Sequence, residues 1–270
     1  MRYRLPRSLL TTALFLSVSA CSSLPQPTPA VERVDGHIGG LDIKYNVSVT
    51  SAKPPTSVFG KQIDRQWHAN GAAALSVRVD SDKRFVGNLS AMSSVGIARI
   101  KLQYQSEGVF RDNLPAMNAF SSKFNITAMT SRAYTVKVDY EKKQVVFSDY
   151  GNSSIQTLTQ DRVLDLVSAI IYLRTGLQQG AIAHTPNRFT LPIVEGTYIQ
   201  NALVSIEQAE SLSTSDFNGT AIPVNITFKG KDKNKQQMTI WFSPEADYLP
   251  LKIDLVAGSY KITFLSDRHQ

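Results

Sequence analysis

Cysteine is almost missing from this 270-residue chain: Cys21 is the only one. A body without further thiols forms no internal disulfide and no thiolate metal site, so its fold rests on its core alone. Histidine is scarce too. His37, His68, His184 and His269 lie far apart and show no His-x-His or His-x-x-x-His spacing, so no metal or other cofactor is expected. The Gly-x-Ser-x-Gly nucleophile elbow, the Gly-x-x-x-x-Gly-Lys phosphate loop and the Gly-x-Gly-x-x-Gly fingerprint are all absent. No five like charges follow one another. Lys229–Lys235 comes nearest, but Gly230, Asp232 and Asn234 interleave its lysines, as in a solvated hairpin loop. Removing Arg2, Arg4 and Arg7 takes the +7 of the whole chain to about +4. That mild excess, without a motif, does not support nucleic-acid binding.

What the chain does have begins at its N-terminus. Arg2, Arg4 and Arg7 precede an apolar stretch from Leu9 to Ala20, the layout of a secretory signal with a small-residue cleavage site. The stretch is too short for a membrane span, which takes about 20 apolar residues. Val18-Ser19-Ala20-Cys21 resembles the bacterial lipobox. The resemblance implies cleavage before Cys21, a diacylglyceryl thioether on its sulfur and an acylated amino terminus. Three acyl chains exceed the two signals that stable anchoring needs. Serine, not aspartate, follows at 22, which in such lipoproteins implies transfer to the outer membrane. The expected organisation is a signal at 1–20, a Pro/Ser-rich tether at 21–36 and one β-rich domain at 37–270. The tether, with Pro25, Pro27 and Pro29, should be extended and semi-rigid.

The body reads as strands. Leu41, Ile43, Tyr45, Val47 and Val49 alternate with polar residues, as do Leu75, Val77 and Val79. Ile100, Leu102 and Tyr104 show the same period, and so do Tyr134, Val136, Val138 and Tyr140. Leu251, Ile253 and Leu255 repeat it before Tyr260, Ile262 and Phe264 close the chain. Period-two alternation marks antiparallel strands with one buried face. Glu141–Gln144 is expected as a hairpin turn, Asp80-Ser81-Asp82 as a hairpin tip, and Asn70-Gly71 and Asn218-Gly219 as turn pairs. Asp161–Thr175 breaks the pattern. Val163, Leu164, Val167, Ile170 and Ile171 form an apolar stripe at helical spacing, with Asp161 as N-cap and Gly176 as stop. The expected fold is mainly all-β: a curved antiparallel meander or half-barrel with one amphipathic helix packed on its concave face.

The helical segment, with Asp165, Ser168 and then Tyr172-Leu173-Arg174, resembles the helix of an uncharacterised exported bacterial family, domain of unknown function number three-one-zero-eight. Ile240-Trp241-Phe242-Ser243-Pro244, followed by Tyr248-Leu249-Pro250-Leu251, is similar to that family's closing hairpin, and Ala133–Asp149 is a weaker match. Together these cover roughly Leu41 to Ser266; the Ser-, Ala- and Gly-rich run Ser90–Gly96 departs from the pattern. The resemblance implies an antiparallel β architecture in the cell envelope and carries no established activity or catalytic residues.

Asp165, Ser168, Tyr172, Arg174 and Trp241 are the candidate rim of a ligand pocket. Each also has a structural reading: Asp165 accepting loop hydrogen bonds, Arg174 satisfying carbonyls at the helix end, Tyr172 half-buried with a wet hydroxyl. The expected function is non-enzymatic: an outer-membrane lipoprotein facing the periplasm, binding or handing over a lipid, lipoprotein or glycolipid. Two alternatives stand beside it. One is an assembly protein that engages an envelope protein partner through its sheet edges. The other is an envelope hydrolase using Asp165 or Ser168.

Overall fold

A computed structural model describes residues 40–51, 68–95, 98–126, 130–182, 187–228, 236–257 and 260–267. Cys21, the tether, His37, His184, His269 and the Lys229–Lys235 loop lie outside these residues.

The alternating segments form fifteen strands. They are β1 (Leu41–Ser51), β2 (His68–Val79), β3 (Arg84–Val95), β4 (Ala98–Arg111), β5 (Leu114–Ile126), β6 (Thr130–Asp139), β7 (Gln144–Asp149) and β8 (Asn152–Thr157). After the helix α1 (Leu166–Gln178) come β9 (Asn187–Glu195), β10 (Tyr198–Ile206), β11 (Glu210–Ser213), β12 (Asn218–Phe228), β13 (Gln236–Ser243), β14 (Leu249–Ala257) and β15 (Tyr260–Asp267). The sheet runs β8-β7-β6-β5-β4-β3-β2-β1-β15-β14-β13-β12-β10-β9, with β11 added on β12. First and last strands meet, Val47 opposite Phe264 and Val49 opposite Ile262. Tyr45 ties this seam to the start of β14, its buried hydroxyl donating to the Pro250 carbonyl at 2.8 Å.

The turns at Asp80–Lys83, Asp112–Asn113, Tyr140–Lys143 and Pro244–Tyr248 lie at one end of the sheet, here the turn end. The expected tip at Asp80 is there, its carboxylate accepting from the backbone N–H groups of Asp82 and Arg84. The Glu141–Gln144 hairpin is there too, with Lys143 at φ 50°. The far end is where β1, β3, β5, β12 and β14 finish.

Two expected turns are not turns. Asn70-Gly71 sits inside β2 and Asn218-Gly219 opens β12. Gly71 faces Ser93 across the ladder, and a Cβ there would lie 2.5 Å from the Met92 carbonyl oxygen. Its glycine serves a close approach of two backbones, not a reversal.

The helix begins later than its apolar stripe suggested. Asp165, not Asp161, is the N-cap. The preceding residues are extended, because their backbone bonds go elsewhere: Leu164 N–H donates to Pro192 and its carbonyl accepts from Val194, while the Val163 carbonyl accepts from Met117 N–H. This segment therefore laces the β9 edge to β5. Gly176 lies inside α1, where a Cβ would strike Ile182. The chain turns away at Gly180, φ +66°, in the left-handed conformation common just past helix ends.

An amphipathic stripe was expected; instead α1 is buried almost all round, from Val167 to Ile171 and from Leu173 to Leu177. It packs against β3, β4 and β5 on one side and β9 and β14 on the other. The sheet wraps it. The main core joins α1 to β1–β4, β9, β10 and β12–β15. A second core holds Met117, Phe120, Val136, Val138, Val145, Phe147, Leu158 and Val163. Ile193 and Ala202 belong to the main core, while their strand neighbours Val194 and Ile199 pack against the second. Successive residues of a strand face opposite ways, so the β9–β10 hairpin is buried on both faces near Val194 and Ile199, while Arg188, Thr190, Asn201 and Leu203 farther along its outer face stay exposed.

At Gly87 helix and sheet touch: a Cβ would sit 2.6 Å from Val167 Cγ1. Gly87→Ala is expected to destabilise the protein by about 1–3 kcal/mol through overpacking, read as a lower urea midpoint at unchanged m-value; an unchanged midpoint would mean that α1 is loosely held.

Candidate functional site

Inward-facing positions at the middle of the sheet are polar where the strand pattern calls for apolar residues. Ser106 on β4 and Ser122 on β5 are buried in such positions. Ser106 donates to Asp165 Oδ2, which also accepts from Ser168 Oγ at 2.9 Å. Asp165 Oδ1 accepts from the N–H groups of Val167 and Ser168 at 2.7 and 3.2 Å, and Ser168 Oγ accepts from the Asp165 N–H. This is a capping box extended by a strand hydroxyl. Burial raises the Asp165 carboxyl above its ordinary range, and the four donors only partly offset that.

One row along, Ser122 hydrogen-bonds both Tyr104 and Tyr134. Burial pushes the Tyr104 phenol up to about 12, with the Asp165 charge adding to the rise. Tyr134 is raised further, by burial first and then by Tyr104, with Asp165 and Glu195 adding smaller increments. Both phenols therefore stay neutral donors. Phe120 stacks on Tyr104 at 5.5 Å and meets Tyr134 edge-on at 5.6 Å, which holds the rings in place.

These groups form a floor. Asp165 meets β4 near its middle, while Arg174 and Gln178 contact Asp247 at the turn end. The 13 residues of α1 span about 20 Å; the 14 of β4 span about 46 Å. The helix thus fills only the turn-end half of the wrapped sheet. Beyond its N-terminus, inward-facing Tyr104, Phe124, Tyr134, Phe228, Leu255 and Phe264 are half-buried rather than buried. Gly71, Ala91 and Ser93 make the wall there thin.

The five residues expected to share a rim are placed apart. Asp165 and Ser168 are together and fully buried. Tyr172 is half-buried, with the Arg162 guanidinium 5.6 Å from its ring. Arg174, buried at the opposite end of α1, ion-pairs with Asp247 at 2.6 Å. Trp241 lies on the face of β13 opposite Ile240 and Phe242, over Leu212, Ala221 and Leu251. Its Nε1–H donates to Glu210 at 2.6 Å, and Lys252 Nζ sits 4.1 Å from its ring. Trp241 therefore fastens β11 to the outer face. Ser106, Ser122, Tyr104 and Tyr134 were not singled out from the sequence. The available signal was a serine at apolar parity in two adjacent strands.

The family model for Protein of unknown function (DUF3108) matches residues 63–264. No curated protein matches the chain. The crystal structure of a β-barrel-like protein of domain of unknown function DUF1849 from Brucella abortus superposes with a TM-score of 0.54 over 84% of this chain and 94% of that one. At 8% identity this likeness concerns the fold alone. The chain belongs to the DUF3108 family, and its fold is a β-barrel-like curved sheet around one helix.

Asp165→Ala is expected to cost about 2–4 kcal/mol, combining a lost N-cap with two buried hydroxyls left without their acceptor. Asp165→Asn should cost less. Because the folded carboxyl holds its proton more tightly than the unfolded one, the wild type should lose stability as pH rises from the ordinary Asp value through the raised folded one. The Asn variant should lack that slope. Urea unfolding at several pH values checks both; parallel pH profiles would contradict the burial.

Proposed function

We infer that this DUF3108 protein is an outer-membrane lipoprotein, anchored through Cys21 and facing the periplasm, that holds the apolar part of an amphipathic envelope ligand. The occupied space would be the far-end half of the interior, beyond the N-terminus of α1. The observation that supports this reading is the partial exposure of inward-facing Phe124, Phe228, Leu255 and Phe264. A wrapped sheet has no reason to keep aromatic side chains turned inward and wet unless something apolar visits them. The floor of neutral phenols and serine hydroxyls suits a polar group within the ligand, such as an ester or amide. Asp165 has its acceptor positions filled by its own helix and Ser106, an arrangement that holds a helix end, so the proposal is binding and transfer rather than hydrolysis.

The full-length protein, purified from membranes in a nonionic detergent, should carry a stoichiometric acyl lipid by mass spectrometry. It should also bind a fluorescent fatty acid saturably. Ala91→Trp, which puts an indole into the open half, should abolish both at an unchanged melting temperature. Absence of co-purified lipid above the detergent blank, together with no saturable probe signal, would sink the reading.

One observation favours partner binding as a second reading. β8 is exposed along almost its whole length, with Ile155 64% exposed, and no charge or proline occurs from Tyr150 to Gln160. Such an edge lacks the usual protection against an added strand. A photocrosslinker at Ile155 should capture one dominant envelope protein in cells; a diffuse or empty pattern would remove this reading.

A further inference from the structure

We propose that a groove at the turn end binds a phosphate group, at a site separate from the open half of the interior. The groove encloses about 400 Å³ between Arg111, Tyr140 and Lys143 on one wall and Leu158–Asp161 on the other.

Its walls are built before any ligand arrives. The Tyr140 hydroxyl donates to the Met117 carbonyl at 2.9 Å and accepts from Val163 N–H at 3.2 Å, which fixes the ring. The Arg111 guanidinium lies 4.0 Å from that ring's centroid, held as a planar fork rather than a free arm. Arg162 Nη2 donates to the Arg111 carbonyl at 2.8 Å, and this holds the end of β4. Lys143 sits in the β6–β7 turn at φ 50°, and its carbonyl accepts from Leu158 N–H at 2.8 Å, which joins the two walls.

The charges point to an anion. Among the described residues neither Arg111 nor Lys143 has an ion pair, whereas the adjacent Lys142 is paired with Asp139 at 3.0 Å. Arg162 adds a third cation behind Arg111, with its Nε buried and no hydrogen-bond partner. Asp161 is the one acid of the lining, and Leu158 its one aliphatic residue. A greasy ligand has little to touch here. A guanidinium fork beside an ammonium matches the three acceptor oxygens of a phosphate. The same chemistry could come from a free phosphate or from a phospholipid headgroup. The second source suits the position, because the groove opens at the end of the sheet where β1 begins, the side from which a Cys21-anchored tether would enter.

Calorimetric titration of the full-length protein in nonionic detergent tests this, with inorganic phosphate, glycerol 3-phosphate and dihexanoyl phosphatidylglycerol as probes. Saturable binding is expected, weakened at least tenfold in Arg111→Gln/Lys143→Gln and unchanged in Lys142→Gln, with all melting temperatures alike. Equal affinity for the three probes assigns the site to free phosphate. At least tenfold tighter binding of the lipid assigns it to a headgroup. Three results would overturn the proposal: no saturable binding, an unaffected double variant, or equal weakening by Lys142→Gln, which would reduce the effect to net charge. The Ala91→Trp variant should bind phosphate normally, so this site and the acyl site fail or stand separately.

Discussion

A helix buried on every side has to be enclosed, and that requirement organises this protein. Val167, Ile170, Ile171, Leu173 and Leu177 make up one side of α1 and Ser168, Ala169 and Thr175 the other, and each is at most 4% exposed. Full burial of each of the first five is worth about 1.5–3 kcal/mol. No single flat sheet can cover them all. The sheet must curl until β3–β5 face β9 and β14 across the helix, and the β1–β15 pairing completes the curl. The N-terminus of α1 then lies where no water reaches its free N–H groups. Asp165 and Ser168 supply the missing partners from within, and Ser106 ties them to the wall.

The curl does not close strand to strand. β8 and β9, the two ends of the sheet order, are unpaired with each other. The extended residues before α1 take that place, bonding to β9 on one side and to Met117 on the other. The hairpin end of β9–β10, at Val194 and Ile199, is consequently covered on both faces, whereas β8 stays exposed. One end of the sheet is a core element and the other is a surface. The mismatch between a helix of about 20 Å and strands of about 46 Å leaves the second asymmetry: a packed turn end and a half of the interior lined by half-exposed rings.

Much of this was legible beforehand. The alternation in β1, β2, β4 and β6 named both the strands and their inward residues, because an antiparallel sheet with one wet face writes its register into every second residue; in β14 the bulge at Trp241/Phe242 puts Leu251 in the outer cluster. The tip at Asp80 and the turn before Gln144 were readable from local chemistry. Gly71, Gly176 and Gly219 were misread as punctuation. In each, the missing Cβ makes room for a close neighbour, respectively Met92, Ile182, and Phe217 with Glu245, and the turn propensity of glycine does not show which of its two uses, reversal or close packing, applies. The candidate site was half legible. Asp165 and Ser168 stood out as polar residues in a greasy segment, but Ser106 and Ser122 looked like ordinary strand serines until the fold placed them at the helix tip.

By itself the sequence determined the class: antiparallel strands, one helix and a core unaided by disulfides. Those are properties of neighbouring residues, carried by periods of two and 3.6 and by short motifs. The tertiary structure decided that the sheet buries the helix on every side, that Trp241 faces outward while Tyr104 faces in, and that Arg111 and Lys143 share one groove. Each of those depends on contacts between segments far apart in the chain, and the curvature that brings them together is set by the whole sheet at once.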